Sequence, residues 1–346
     1  MDLILQAEGA RDAVAHAHER AWQRFEGLLQ ELVRELPGLR APVGERCALQ
    51  GVVARRMWAA CSPYRAGFIT SMAAVAGAVA QEILACYDQQ GIDRAWVNNG
   101  GDIALHLAPG QSVTVGVYAD IAALNAAQLR NGLVLDGKIR IDSAMPVRGV
   151  ATSGWRGRSQ SLGIADSVTV LAATAAEADA AASLIGNAVN VDAPGIVRVP
   201  AMHLKDDSDL GDIPVTLDVP ELTPWQVAEA LKAGREHALA LRAAGHIQAC
   251  FITCQGWTLS TETSSAVPLA TYADLRRAGL PVSPVIEGPL PGTDLRLIGI
   301  DPLTLPAEAR LLDTQTLDLQ GFVSAEGELL LNPDSAKTLP ADLPPS

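Results

Sequence analysis

Three short clusters in this chain carry residue types that could work on a ligand together. The first is NNGGDI, Asn98–Ile103. A glycine pair inside a strand-like run marks a bulge or a place where another backbone or a ligand comes close. Bare amides at Gly100 and Gly101, with Asn99 before them, can donate to a phosphate or a ring carbonyl. Asp102 beside a phosphate needs a cation or a hydroxyl in between, so the cluster suits a nucleotide-like ligand gripped through its ribose or ring. A structural bulge with Asp102 bonded to nearby amides uses the same residues, and residue types alone leave both open.

The second cluster lies in ATSGWRGRSQS, Ala151–Ser161. Thr152, Ser153 and Gly154 make a hydroxyl-rich strand end, followed by Arg156, Arg158 and Ser159. In an acidic chain this is the most anion-friendly spot, because guanidinium groups recognise oxyanions through paired donors; a solvated loop is the plain alternative. Asp166 opens the next strand, where its carboxylate could face a pocket. Asp102 and Asp166 are the candidates for polar recognition or acid–base work. The third cluster is the pair Asp179 and Ser183, four residues apart and so on one face of a helix. Two such oxygen ligands and a backbone carbonyl could hold Mg²⁺.

These residues need elements to position them. Ala10–Leu36 reads as a helix, with Trp22, Phe25, Leu28, Leu29, Leu32 and Val33 at helical spacing. Thr70–Cys86 is a second helix, capped by Thr70 or Ser71 and crowded with small residues. Its Gly77 costs about 1 kcal/mol relative to alanine, which a close packing contact or a ligand would explain. Arg94–Leu107 reads as two strand segments meeting at the glycine pair. Strands are also expected at Ser112–Tyr118, Val147–Ser153, Ile164–Ala172, Ile196–Val199, Ile213–Leu217 and Ile247–Thr253. Helices are expected at Thr174–Ala188 and at Pro224–Ala244, the latter capped by Thr223. The alternation lacks a regular βαβ period, which argues for α+β layers. No GxGxxG or GxxxxGK[ST] loop is present, so the common phosphate-loop enzymes are disfavoured.

Composition narrows the classes further. The formal net charge is −13 and the pI about 4.9, which repels polyanions and excludes nucleic acid as a natural partner. No run approaches a membrane span, and MDLILQAEGARDA lacks the basic start of a signal peptide. Five cysteines without framework spacing point to free thiols and a cytoplasmic setting. Cys250 and Cys254 share one strand face, as small buried hydrophobes or, less simply, as ligands. His106, His203 and His246 are scattered, which disfavours a serine-hydrolase triad. Eleven of the 21 prolines fall after Thr258, with twelve acidic residues against five basic ones. Residues 1–258 therefore read as one domain. Residues 259–346 read as an appended, strand-rich, acidic module, frayed after Thr338.

NNGGDI, ATSG, then ADSVTV followed by EADAAAS, in this order, resemble the ApbE superfamily of flavin transferases. TSMAAVAGAVAQ and ATSGWRGRSQSLGIADSVTVLA are similar to an uncharacterised cytosolic ApbE-like branch. The resemblance implies a T-fold-like duplication of helix-on-sheet layers over most of residues 1–258. It also implies a site for FAD or FMN with Mg²⁺, in which Gly100, Gly101 and Asp102 form the GGD turn. Asp179 and Ser183 would then hold the metal, with Ala151 at the turn that supplies a carbonyl. The transferases carry a His-x-x-Asp-Pro segment where this chain reads RSQSLGIAD, and a lysine and an aspartate where it has Ala76 and Gln81. Those departures point away from FMN transfer onto a protein threonine, and towards a small anionic ligand that is bound or processed otherwise. The tail, with ATYADLRRAGLPVSPVIEG and LRLIGIDPLTLP, resembles the extracytoplasmic region of FtsX-like ABC permeases. A protein partner is expected for that tail, and homodimerisation is left open for the whole chain.

Overall fold

The computed structural model describes residues 3–117, 137–157 and 159–261, together with four short strands nearer the C-terminus. The first strand, β1 (Ile4–Gly9), leads into α1 (Arg11–Arg34), and the chain continues through α2 (Leu36–Arg40) and α3 (Val52–Cys61). Next come α4 (Val75–Leu84), β2 (Ile92–Asn99), β3 (Asp102–Leu107), β4 (Ser112–Val117) and β5 (Gly137–Asp142). Then follow β6 (Gly149–Ser153), β7 (Ser167–Ala172), α5 (Ala175–Ala188), β8 (Val197–Pro200), α6 (Ala201–Leu204) and β9 (Pro214–Asp218). Finally α7 (Pro224–Ala243), β10 (Ala249–Cys254) and β11 (Trp257–Ser260) complete the main body.

Seven strands form one sheet in the order β1-β2-β3-β6-β7-β10-β11, and every neighbouring pair is antiparallel. The fold is α+β, as the irregular alternation predicts. Helices cover one face. Leu28, Val53, Met57, Ala78 and Val79 pack against the β2–β3 half. Ala178, Ile185, Leu231 and Ala238 pack against the β6–β7–β10 half, with Val168, Val170 and Ile252 beneath them. Each fully buried Leu or Ile contributes about 1.5–3 kcal/mol. The hairpin β4–β5 supplies a smaller core on the opposite face, where Val115 and Ile141 meet Leu105, Val150 and Leu171.

Small residues let the helices approach closely. A methyl on Gly77 would lie 2.2 Å from the Ala175 carbonyl oxygen, so α4 and α5 touch backbone to backbone there. Packing is thus the reason for that glycine. A methyl on Gly149 would likewise stand 2.2 Å from the Ala175 nitrogen, which fixes α5 tightly over β6. The α5 helix starts at Thr174, whose side chain accepts from the Glu177 amide, and α7 starts with a full capping box between Thr223 and Gln226.

Several elements differ from expectation. β1, α3 and β5 were not foreseen, because short amphipathic runs beside longer apolar ones carry little periodic signal. The run expected as one helix over Thr70–Cys86 is a 3-10 turn (Ser71–Ala74), then α4, then a second 3-10 turn (Ala85–Tyr87). The strand expected from Ile164 starts only at Ser167, after a loop. β11 carries the main sheet to Ser260, two residues beyond the expected break, and the Thr261 amide bonds the Cys250 carbonyl at 3.0 Å. Of the module expected after it, only four short strands are described, at Gly288–Pro289, Arg296–Leu297, Gly321–Val323 and Glu328–Leu331, which pair with one another. The rest of that module, and the FtsX-like resemblance it carries, lies outside the described residues. Among the described residues no helix is long and apolar enough to cross a membrane. All five cysteines are free; Cys61, Cys250 and Cys254 are buried, and burial pushes their thiols up.

Candidate functional site

The GGD turn closes the β2–β3 hairpin. Asn99 and Asp102 are its last paired residues, so Gly100 and Gly101 form a two-residue loop with φ of +69° and +116°. Such loops require positive φ at both central positions, which only glycine adopts freely. The glycines therefore serve a hairpin turn, not the strand bulge that residue types suggested. The Gly101 amide donates to Asn98 Oδ1 at 2.8 Å, and no atom lies within 4 Å of the direction its missing Cβ would take. The turn opens onto free space.

Asp102 is 8% exposed. Its Oδ1 accepts from the Thr152 amide at 3.1 Å, which ties the start of β3 to the end of β6. Ala151, fully buried, precedes Thr152 on that strand. The Thr152 hydroxyl pairs with that of Thr169 at 3.0 Å. The GGD turn and the TSG strand end are thus neighbours.

Helix α5 brings Asp179 to the same place. Its Oδ2 accepts from the Gly77 amide at 2.9 Å, and the Ala76 amide also bonds the carboxylate. Asn99 Nδ2 in turn donates to the Ala76 carbonyl at 3.1 Å. The first turn of α4 is therefore gripped between the hairpin and α5. Burial first, then the charge of Asp102, raise the Asp179 carboxyl well above the ordinary carboxylate range; the Gly77 and Ala76 amides pull the other way and lose. Asp179 keeps partial solvent contact. Asp179 in turn adds to the upward push on the buried Cys61 thiol. Ser183 follows one turn along α5, half-buried. Ser153 packs towards the same helix, its Oγ 3.8 Å from where a methyl on Gly186 would stand.

Asp166 and Arg156 belong to a different cluster. The indole of Trp155 donates to Asp166 Oδ1 at 3.3 Å, and the Gln255 amide donates to Oδ2. Arg156 Nε lies 3.9 Å from Asp166 Oδ1, and its guanidinium sits 4.9 Å from the centre of the Trp155 ring. Gly154 must be glycine here, because a methyl would lie 2.2 Å from the Asp166 carbonyl oxygen. Arg156 thus turns to Asp166 and Trp155, Ser159 is exposed, and Arg158 lies outside the described residues. Sequence reasoning missed the Ala76 and Gly77 amides as partners of Asp179. The one available signal was a glycine near the start of a helix.

Residues 1–261 match the family model described as "AbpE bacteria". The chain belongs to this ApbE-related family. The match spans the whole seven-stranded sheet and ends one residue past β11. Among curated proteins, the chain is similar to a "UPF0280 protein" of Methanothrix thermoacetophila, 38% identical over 142 residues, covering 41% of this chain and 54% of the relative. It is also similar to UPF0280 proteins of Methanococcus maripaludis, 40% over 135 residues (37% and 51%), and Methanothermobacter thermautotrophicus, 34% over 163 residues (47% and 58%). The chain spans about half the length of the curated relatives it matches. In this AbpE-family member, Asp102, Thr152 and Asp179 lie near one another at one end of the sheet.

Proposed function

We propose that this end of the sheet binds a divalent cation of the Mg²⁺ class together with an anionic small molecule of flavin or nucleotide type. The observation that carries the reading is Asp179: a carboxyl raised by enclosure and by a second carboxylate, yet held in place by main-chain amides. Such an arrangement holds a proton, or exchanges it for a cation. The donor set suits Mg²⁺, which takes hard oxygen ligands and keeps several waters. Asp102, Asp179, Ser183 and the Ala151 carbonyl are the groups that would hold it. Among the described residues no three His, Cys, Asp or Glu side chains form a metal cage, so water and ligand oxygens would complete the coordination.

When bound, Mg²⁺ supplies positive charge to neutralise a phosphate or diphosphate. The chain's own part is to aim the Gly100–Gly101 turn and the hydroxyl of Ser153 at the ligand; the Thr152 hydroxyl, paired with Thr169, lies on the other face of the sheet. Arg156 contributes positive charge at the flank. A T-fold-like duplication fits this picture, with α4 over β2–β3 mirrored by α5 over β6–β7. Ala76 and Gln81 stand where the transferases have a lysine and an aspartate, which supports ligand binding, or a different reaction, over FMN transfer.

Titration calorimetry with Mg²⁺ and with Mn²⁺, then with FAD or FMN added, tests the reading. Binding that disappears in Asp179→Ala supports it. Equal affinity in wild type and Asp179→Ala overturns it.

A further inference from the structure

The β8–β9 ribbon forms a sheet of its own, and its loop reaches back both to the turn before α4 and to the loop after β6. Asp209 accepts a hydrogen bond from the Thr70 hydroxyl, and that hydroxyl itself accepts from the Met72 amide at 3.3 Å. Thr70 is 3% exposed and caps the 3-10 turn that runs directly into α4. Six and seven residues further on are the Ala76 and Gly77 amides that hold Asp179. On the other side, Ser208 Oγ donates to Gln160 Oε1 at 2.5 Å, and the Thr216 amide donates to the Ser161 carbonyl at 2.8 Å. Gln160 and Ser161 follow directly on the loop that carries Arg156 and Ser159.

We propose that the loop Lys205–Gly211 is a releasable strap that holds the turn before α4 and the loop after β6 in register. The body of the ribbon is anchored by the buried Ala201 and Val215 and by bonds from Arg198 and Thr216 to the Leu162 and Ser161 carbonyls, so it is the loop between them whose docking depends on the tethers of Ser208 and Asp209. The tip, Ser208–Gly211, is docked, whereas Met202–Asp207 is exposed. The chain Met72 amide, Thr70 hydroxyl, Asp209 carboxylate is cooperative, because the charged acceptor polarises the hydroxyl and strengthens the cap. Releasing Asp209 loosens the cap, and the loosening reaches the first turn of α4. Sub-global openings of this kind draw on the least stable elements of a fold. The strap itself stands on the hydrogen-bond geometry; only its effect on metal affinity rests on the function proposed above.

Hydrogen exchange of the full chain, followed by mass spectrometry, tests this. In Asp209→Ala, amides in peptides covering 70–78 and 205–213 should both exchange about tenfold faster, as expected for losing a hydrogen bond to a charged group. Ser208→Ala should speed 205–213 and the segment after Gln160. Asp206→Ala, an exposed acid in the same loop, should change neither. Asp209→Asn, which keeps an acceptor, serves if the alanine variant does not fold, and should show a smaller change of the same pattern. Faster exchange in 205–213 with no change in 70–78 overturns the proposal. In the same variants, Mg²⁺ affinity should fall severalfold. An exchange result as expected with unchanged Mg²⁺ affinity would leave the strap standing and remove the metal from its site.

Discussion

Asp166 and Asp179 are carboxylates only thirteen positions apart, on either side of β7, and the fold treats them in opposite ways. Asp166 meets the indole of Trp155, the Gln255 amide and the guanidinium of Arg156. Its charge is answered locally, and its work is to fasten the loop after β6 to the β10–β11 turn. Asp179 meets only part of an answer: two main-chain amides on one side and another carboxylate, Asp102, near it. A carboxylate's neighbours, more than its place beside a strand, decide whether its charge is answered within the fold.

The largest expected effects test the close contacts that support the two carboxylates. Gly77→Ala and Gly154→Ala should each cost about 3 kcal/mol, since both methyls would press into backbone carbonyls that cannot yield cheaply. Urea denaturation gives the number. The comparison predicts a difference beyond stability. Gly77→Ala displaces an amide that holds Asp179 and should weaken Mg²⁺ binding, whereas Gly154→Ala, measured where it remains folded, should leave it alone. Equal loss of Mg²⁺ affinity in both would erase the distinction.

Next come the carboxylates themselves. Asp166→Ala leaves an indole, an amide and a guanidinium without their acceptor and should destabilise by about 2 kcal/mol, with no change in Mg²⁺ affinity. Asp179→Asn should do the reverse. Because the folded protein raises the Asp179 carboxyl, it binds that proton more tightly folded than unfolded. The stabilising contribution is full below the ordinary aspartate range and is lost as pH rises through the elevated folded value. Asp179→Asn removes that loss. Its melting temperature should exceed wild type at about pH 8, and the gap should close towards about pH 4. Glu82 provides the opposite sign in the same molecule. Burial alone would raise it, but hydrogen bonds from Arg24 at 2.7 Å and Arg56 at 2.8 Å win and hold it low. Its contribution is therefore present at neutral pH and lost on acidification, so Glu82→Gln should narrow the fall in stability at acid pH while Asp179→Asn does not.

How far the sequence discloses this depends on the range of the interaction involved. The helices α1, α5 and α7 are legible because caps and periodicity are local: Thr223 announces the start of α7, and its side chain makes the expected bond. The α+β class follows from the irregular alternation. The neighbourhood of NNGGDI and ATSG follows from the resemblance, not from spacing. Within the site, Asp102 and Asp179 are legible as carboxylates but not as a pair, because their proximity is set by the α4–α5 contact at Gly77, a tertiary fact. The same holds for Asp166, whose partners Trp155 and Gln255 come from eleven residues back and eighty-nine residues on. The Thr70–Asp209 tether spans 139 residues and has no sequence signal at all.

The smallest expected effect is the most delicate test of the comparison. Arg156 lies 3.9 Å from Asp166 with 39% of its side chain exposed, so the pair is long and solvent-screened. Such pairs contribute between nothing and about 1 kcal/mol, and the stacking on Trp155 adds about 0.5–1 kcal/mol at an exposed site. Arg156→Gln should therefore lower stability by less than about 1 kcal/mol, far less than Asp166→Ala, because the Trp155 and Gln255 donors keep the carboxylate satisfied. The proposed function gives this guanidinium a second task. If it serves an anionic molecule at the flank of the site, Arg156→Gln should weaken binding of FMN or a nucleotide severalfold while leaving Mg²⁺ affinity unchanged. A loss of stability as large as that of Asp166→Ala would instead make the arginine part of the fastening, and the anion would have to be held by the Gly100–Gly101 turn, the Ser153 hydroxyl and the cation alone.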